Sequence, residues 1–214
     1  MTDTKRFELI TEADARVLEP GTTVRLAAGG HVTPLAADTL RERRVTVIGE
    51  DLHATPPGMA LVPAAEVRRL AIGSDHVGFD LKANLVPWLR GRGLQVHDTG
   101  TLDRTPVDYP DTAAAVARAV ARGEADAGIV IDGAGLGSAM AAGKIRGIRA
   151  AMCLNETLAR YSREHNGANV LALGATLVTP AEAQAIVLRF VETPMREPRY
   201  IARLEKIARL ETQG

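Results

Sequence analysis

After residue 68 this chain alternates short, uninterrupted apolar runs with longer amphipathic stretches, and that alternation restricts its fold more than any other feature. Strand-like runs at Leu70 to Gly73, Gln95 to Asp98, Gly128 to Ile131, Ile148 to Cys153 and Val170 to Leu173 are separated by helical patterns. The helices are expected at Phe79 to Arg92, Asp111 to Arg122, just after residue 132, Asn155 to Glu164 and Pro180 to Glu192. Strands this short and this continuously apolar must be covered on both faces, and intervening helices supply the cover. The fold class is therefore α/β: a Rossmann-like, doubly wound parallel sheet of about five strands. Ligands of such sheets sit beyond the carboxyl ends of the strands, near the point where strand order reverses, so residues just after strands are the ones to examine.

A second, smaller piece precedes this one. Thr22 to Leu26 and Val45 to Ile48 read as strands flanking a helix from Pro34 to Arg43, entered through Thr33 as N-cap with Pro34 in the first turn. Residues 1–50 are expected to form a β-α-β accessory module, 51–68 a Pro- and Gly-rich linker, and 69–214 the main domain. Lys plus Arg equals Asp plus Glu at 26 each, so no global field draws the chain to nucleic acid or an anionic membrane. One cysteine, Cys153, excludes an internal disulfide, and no apolar run approaches the roughly 20 residues that span a bilayer. The charged start, Met1 to Glu12, is no secretory signal, and a cytoplasmic location is expected.

Three places carry chemistry. Gly73-Ser74-Asp75-His76-Val77-Gly78 sets an acid and an imidazole at a strand end; the same residues also read as an N-cap and a turn histidine. Asp132-Gly133-Ala134-Gly135-Leu136-Gly137-Ser138 follows a buried strand, and its alternate glycines suit a nest of backbone N–H groups for an anion. A tight strand-to-helix turn is the plainer reading, and without the Lys-Ser/Thr ending of a P-loop or the full dinucleotide fingerprint, nucleotide binding is a poor one. At the mouth of an apolar strand, Asp132 is expected to be partly desolvated, with a raised pKa suited to a base. Arg163 to Asn169 closes a helix, and there His165 and Asn166 read either as site residues or as ordinary C-cap residues.

Taken in order, G-S-D-H-V-G-F-D-L-K, D-Y-P-D, G-I-V-I-D-G-A-G-L-G, A-A-G-K-I-R-G-I-R-A, S-R-E-H-N-G-A-N-V-L-A-L-G and R-Y-I-A-R-L-E-K-I resemble the ribose-5-phosphate isomerase B family, which includes the galactose-6-phosphate isomerase subunits. The resemblance covers about two-thirds of the chain. It implies aldose–ketose isomerisation of a sugar phosphate through an enediolate, with no metal or other cofactor, in a homodimer or tetramer whose subunits share active sites. It further implies that Asp75, His76 and Tyr109 line the sugar site. Gly133, Ala134, Gly135, Gly137 and Ser138 supply the loop that holds the enediolate oxygen. Asn166 adds a donor, His165 assists ring opening and proton movement, and Arg199 and Arg203, on one face of a C-terminal helix, bind phosphate.

Five positions depart from the pattern of many or some members of the family. Asp132 stands where many members carry a proton-abstracting cysteine, and Ser138 where others carry a glutamate base. Ala134 replaces a hydroxyl residue tied to furanose opening, Thr176 replaces a third arginine, and Tyr200 replaces a histidine. Asp132 is the expected base, and loss of the ring-opening hydroxyl points to a substrate that needs no opening, such as a tetrose 4-phosphate. The alternative is a non-catalytic relative that binds a sugar phosphate as sensor or scaffold. The stretch from Ile10 to Ile48 resembles short N-terminal modules on enzymes of bacterial microcompartments, which implies packing with shell or cargo proteins; an accessory domain extending a dimer interface reads equally well.

Overall fold

The computed structural model describes residues 5–49, 62–64 and 66–211, which divide into two compact units at Ala54/Thr55. The first unit runs β1 (Arg6–Ile10), α1 (Glu12–Val17), β2 (Thr23–Val32), α2 (Pro34–Glu42) and β3 (Thr46–Gly49), with its parallel strands in the order β1-β2-β3. Ile10, Ala15, Leu18, Val24, Ala36, Leu40 and Val45 form its core. Thr33 caps α2 as expected, its Oγ1 accepting from the Ala36 amide at 3.3 Å. The β-α-β expectation is one strand and one helix short. β1 and α1 extend it, and α1 is fixed by a capping box in which Thr11 and Asp14 satisfy each other's backbone amides.

The second unit contains β4 (Arg69–Ser74), α3 (Phe79–Gly91), β5 (Gln95–Asp98), α4 (Tyr109–Ala121), β6 (Ala127–Asp132) and α5 (Leu136–Ala142). It continues with β7 (Ala150–Met152), α6 (Glu156–Glu164), β8 (Val170–Gly174), α7 (Pro180–Glu192) and α8 (Pro198–Leu210). The five strands are parallel in the order β5-β4-β6-β8-β7, so strand order reverses between β4 and β6. Period-two alternation explains the sandwich. Leu70, Ile72, Ile129, Ile131, Leu171 and Leu173 face one side, with Leu85, Leu89, Ile186 and Phe190 of α3 and α7. Ala71, Val130, Val170 and Ala172 face the other, with Ala113, Val116 and Val120 of α4. That second side approaches closely: a Cβ at Gly128 would lie 2.6 Å from a Val116 methyl.

Two boundaries differ from expectation. α4 begins at Tyr109 rather than Asp111, because Pro110 fits the first turn, where an amide proton is not needed. The linker expected over 51–68 is only partly one: residues 51–61 lie outside the described residues, but Pro63 and Val67 are buried and Val67 joins the main core. Among the described residues, no helix is long and apolar enough to cross a membrane.

Candidate active site

β4 and β6 pair with Ser74 opposite Ile131, which brings Asp75 and Asp132 to the same sheet edge at the point where strand order reverses. Asp75 is 6% exposed; its amide donates to the Ile131 carbonyl, and its Oδ1 accepts from the Gly78 amide at 2.8 Å. Gly78 can only be glycine here, since a Cβ would lie 2.6 Å from the Ile131 oxygen. His76 turns its Nδ1 toward the Val107 backbone, 3.3 Å from the carbonyl oxygen and 3.4 Å from the amide. Tyr109, two residues on, lays its ring against Gly137, where a Cβ would come within 2.6 Å of Cε2. Asp75, His76, Tyr109 and the loop after β6 therefore form one constellation.

That loop is organised around Asp132 itself. One carboxylate oxygen accepts from the amides of Ala134, at 2.8 Å, and Gly135, and the other accepts from the Ser138 amide at 2.7 Å. Gly135 adopts φ +77°, the left-handed conformation that turns the chain back onto the carboxylate. Thr176 braces the outside, donating both its hydroxyl (2.7 Å) and its amide (3.0 Å) to the Gly133 carbonyl. Burial pushes the Asp132 carboxyl up, but the Ser138 hydroxyl beside it and the three amides outweigh burial and hold it below the ordinary 3.8. The expected rise is thus reversed, because donor-rich backbone solvates the anion better than the apolar strand penalises it. The loop's amides are also not all free for an enediolate oxygen: those of Ala134, Gly135 and Ser138 face Asp132.

A second cluster holds the remaining candidates. His165 closes α6, half-buried, and stacks between Tyr161 (4.6 Å between ring centroids) and Tyr200 (4.5 Å). The guanidinium carbons of Arg199 and Arg203 lie 4.7 and 5.5 Å from the Tyr200 ring centroid, so Tyr200 aligns both cations beside His165. Asn166 is exposed and uses its Nδ2 to cap the Tyr161 carbonyl at 3.2 Å. His165 and Asn166 precede the start of β8, while Asp132 ends β6. With Gly128 opposite Val170 and Asp132 opposite Gly174, about 13 Å of strand separates these levels at ~3.3 Å per residue. The two clusters thus lie at opposite strand ends of the sheet. Cys153 belongs to neither; it is buried, and burial raises its thiol to about 11.

The sequence reading passed over two buried cations. Lys82 is 2% exposed and pairs with Asp98 at the end of β5. Arg163 is fully buried two residues before His165. Neither was singled out, since a Lys or Arg in an amphipathic helix reads first as solvent-facing. Among the described residues, no group of three or more His, Cys, Asp and Glu side chains is gathered into a metal-binding set.

An open, doubly wound parallel sheet with carboxylates at its switch point defines a small-molecule-binding α/β protein. Comparison with known proteins is more specific. The ribose/galactose isomerase family matches residues 70–207, and the chain belongs to that family. The chain is 43% identical over 145 residues to ribose-5-phosphate isomerase B of Escherichia coli, covering 68% of this chain and 97% of that protein. It is 37% identical over 123 residues to a galactose-6-phosphate isomerase subunit of Clostridium acetobutylicum, covering 58% and 71% of the two chains. Among solved structures, ribose-5-phosphate isomerase B of Clostridium thermocellum superposes with a TM-score of 0.66 at 47% identity, over 67% of this chain and 97% of that one. The type B enzyme of Trypanosoma brucei gives 0.65 at 44%, over 67% and 99%. The first unit lies outside the family match.

Proposed function

We propose that this protein interconverts a phosphorylated aldose and its ketose through an enediolate, with Asp132 as the base. The observation that carries this reading is an ionised carboxylate fixed at the switch point of a ribose/galactose isomerase fold. Three of the roughly four lone-pair positions of the carboxylate are filled by amides, and the fourth faces the Ser138 hydroxyl, which turns away as the carboxylate accepts the proton from C2. The C–H electrons form the C1–C2 double bond and the charge moves onto O1. A proton passes between O1 and O2, and Asp132 returns its proton to C1. The low pKa makes Asp132 a weaker base than expected but keeps it ionised at neutral pH, as the reaction requires. The amides of Gly133, Leu136 and Gly137, which are not donors to Asp132, serve the enediolate oxygen.

The position of the two clusters at opposite strand ends supports a shared site. A second copy supplies His165 and Asn166 for proton movement and Arg199 and Arg203 for phosphate. Neither arginine is paired with a carboxylate among the described residues, so both cations are available to an anion. Ala134 presents no hydroxyl to assist furanose opening, which favours a tetrose 4-phosphate, blocked from ring closure at its phosphorylated oxygen. The test is turnover of erythrose 4-phosphate, ribose 5-phosphate, a hexose 6-phosphate and free ribose by the full chain. The reading expects phosphate dependence and a higher kcat/KM for the tetrose. A clear preference for the pentose removes the four-carbon reading, and binding without turnover of any of them supports a sensor or scaffold instead.

A further inference from the structure

Arg163 is the largest fully buried side chain in the second unit, yet no carboxylate is paired with it among the described residues. Three backbone carbonyls receive its protons: Ala168 at 2.9 Å, Thr193 at 3.3 Å and Ala64 at 2.8 Å, and its guanidinium lies 5.1 Å from the Phe190 ring centroid. Burial, with the nearby Arg149 charge, lowers it to about 10, so it remains a cation at neutral pH. A buried charge held by carbonyl dipoles and one ring face, with no counter-charge, is expensive, and such a group persists where its geometry is needed.

The geometry it fixes is that of the turn carrying His165 and Asn166. The Gly167 amide donates to the Arg163 carbonyl at 3.0 Å, and the Ala168 carbonyl accepts from the Arg163 side chain. Arg149 closes the same turn by donating Nε to the Gly167 carbonyl at 2.7 Å. Gly167, at φ +56°, packs so tightly on Leu204 of α8 that a Cβ would lie 2.5 Å from its methyl, so the turn in turn seats the helix bearing Arg199 and Arg203. The third acceptor, Ala64, comes from outside the family match, in the segment that leads in from the first unit. Buried Pro63 and Val67 on either side hold that carbonyl in place.

We propose that Arg163 is a positioning residue for the His165–Asn166 turn, and that the 62–67 segment is a working part of this device through the Ala64 carbonyl. This chain's catalytic competence then depends on residues before its isomerase domain. The inference rests on the isomerase reading for its kinetic consequence, but the ordering of the turn is measurable without substrate.

The test uses the full chain with Arg163→Lys, Arg163→Met and the double change Pro63→Gly/Val67→Ala. Amide hydrogen exchange reports the turn, and kcat and KM report the reaction on whichever sugar phosphate the unaltered chain turns over best. Arg163→Lys retains charge but cannot reach three carbonyls at once. The expected result is at least tenfold faster exchange at Gly167 and Ala168 in both Arg163 variants, and at least threefold in the double variant, while core amides of β4 and β6 are unchanged. kcat falls at least tenfold in the Arg163 variants and about threefold in the double variant, with KM within threefold of the original. Unchanged exchange at Gly167 and Ala168 overturns the proposal, as does unchanged kcat in an active enzyme. Equal acceleration across β4 and β6 reduces Arg163 to a general stabiliser. If Arg163→Met does not fold, the double variant decides by the same exchange criterion. Faster exchange confined to the turn in a protein that isomerises no sugar phosphate fails the isomerase reading and leaves the positioning of the turn standing.

Discussion

Asp132→Asn separates the two tasks assigned to the carboxylate, as hub of the loop and as base. Asparagine has nearly the same shape, but only one of its terminal atoms accepts. Its best orientation keeps the oxygen on the Ala134 and Gly135 amides and sets the NH2 group against the Ser138 amide, which now donates at 2.7 Å to the carboxylate. One buried amide loses its acceptor, at about 1–3 kcal/mol, and two others lose the charge assistance that roughly doubles a hydrogen bond. The combined loss is about 3 kcal/mol, read as a change in urea midpoint at neutral pH. Its pH dependence has a definite sign. A carboxyl whose folded pKa lies below its usual 3.8 contributes stability that is fully present above that value. That contribution is lost as pH falls through the folded pKa. The difference between original and variant is therefore constant from about pH 6 to 8 and shrinks as pH drops below about 4. kcat falls by about 10²–10⁴, the range for losing a positioned base. Equal stability with an unchanged acid limb refutes the hub, and turnover within threefold of the original refutes the base.

Gly135→Ala places a Cβ at φ +77° and 2.9 Å from the Leu173 carbonyl carbon, a rigid backbone neighbour. Thermal unfolding should show a loss of about 1–3 kcal/mol, with a matching loss of kcat as the loop leaves Asp132. On the proposed phosphate role of Arg203, Arg203→Ala is expected to lower kcat/KM by roughly 10–100-fold, mainly through KM, for phosphorylated substrates and not at all for free sugars.

The second unit was legible because four of its five strands are mostly apolar and two of its helices carry ordinary side-chain caps. β5 and α7 have the bounds read from sequence, and Asn155 and Thr179 cap α6 and α7 through the amides of Leu158 and Glu182. β1 and α1 were missed because Arg6-Phe7-Glu8-Leu9-Ile10 interleaves charge with apolar residues at a terminus, and because the capping box there uses Asp14 rather than Glu or Gln. The candidate residues were legible as motifs, but their electrostatics were not. Whether burial or donors decide the pKa of Asp132 depends on where three backbone amides point, and that follows from the left-handed turn at Gly135 rather than from residue type. The separation of Asp132 from His165 follows from the parallel register that sets them at opposite strand ends, which motif order alone does not give. The role of Ala64 had no sequence signal at all, because a carbonyl belongs to every residue.

Proton abstraction next to the carbonyl, with Asp132 as the acceptor, is the central claim, and solvent exchange measures it most directly. Incubating the full chain with its best aldose phosphate in D2O and following the sugar by NMR should show deuterium entering C1 of the ketose and C2 of the returned aldose. Both signals should vanish together in Asp132→Asn. Ketose formation and deuterium entry that continue undiminished in Asp132→Asn would contradict Asp132 as the acceptor.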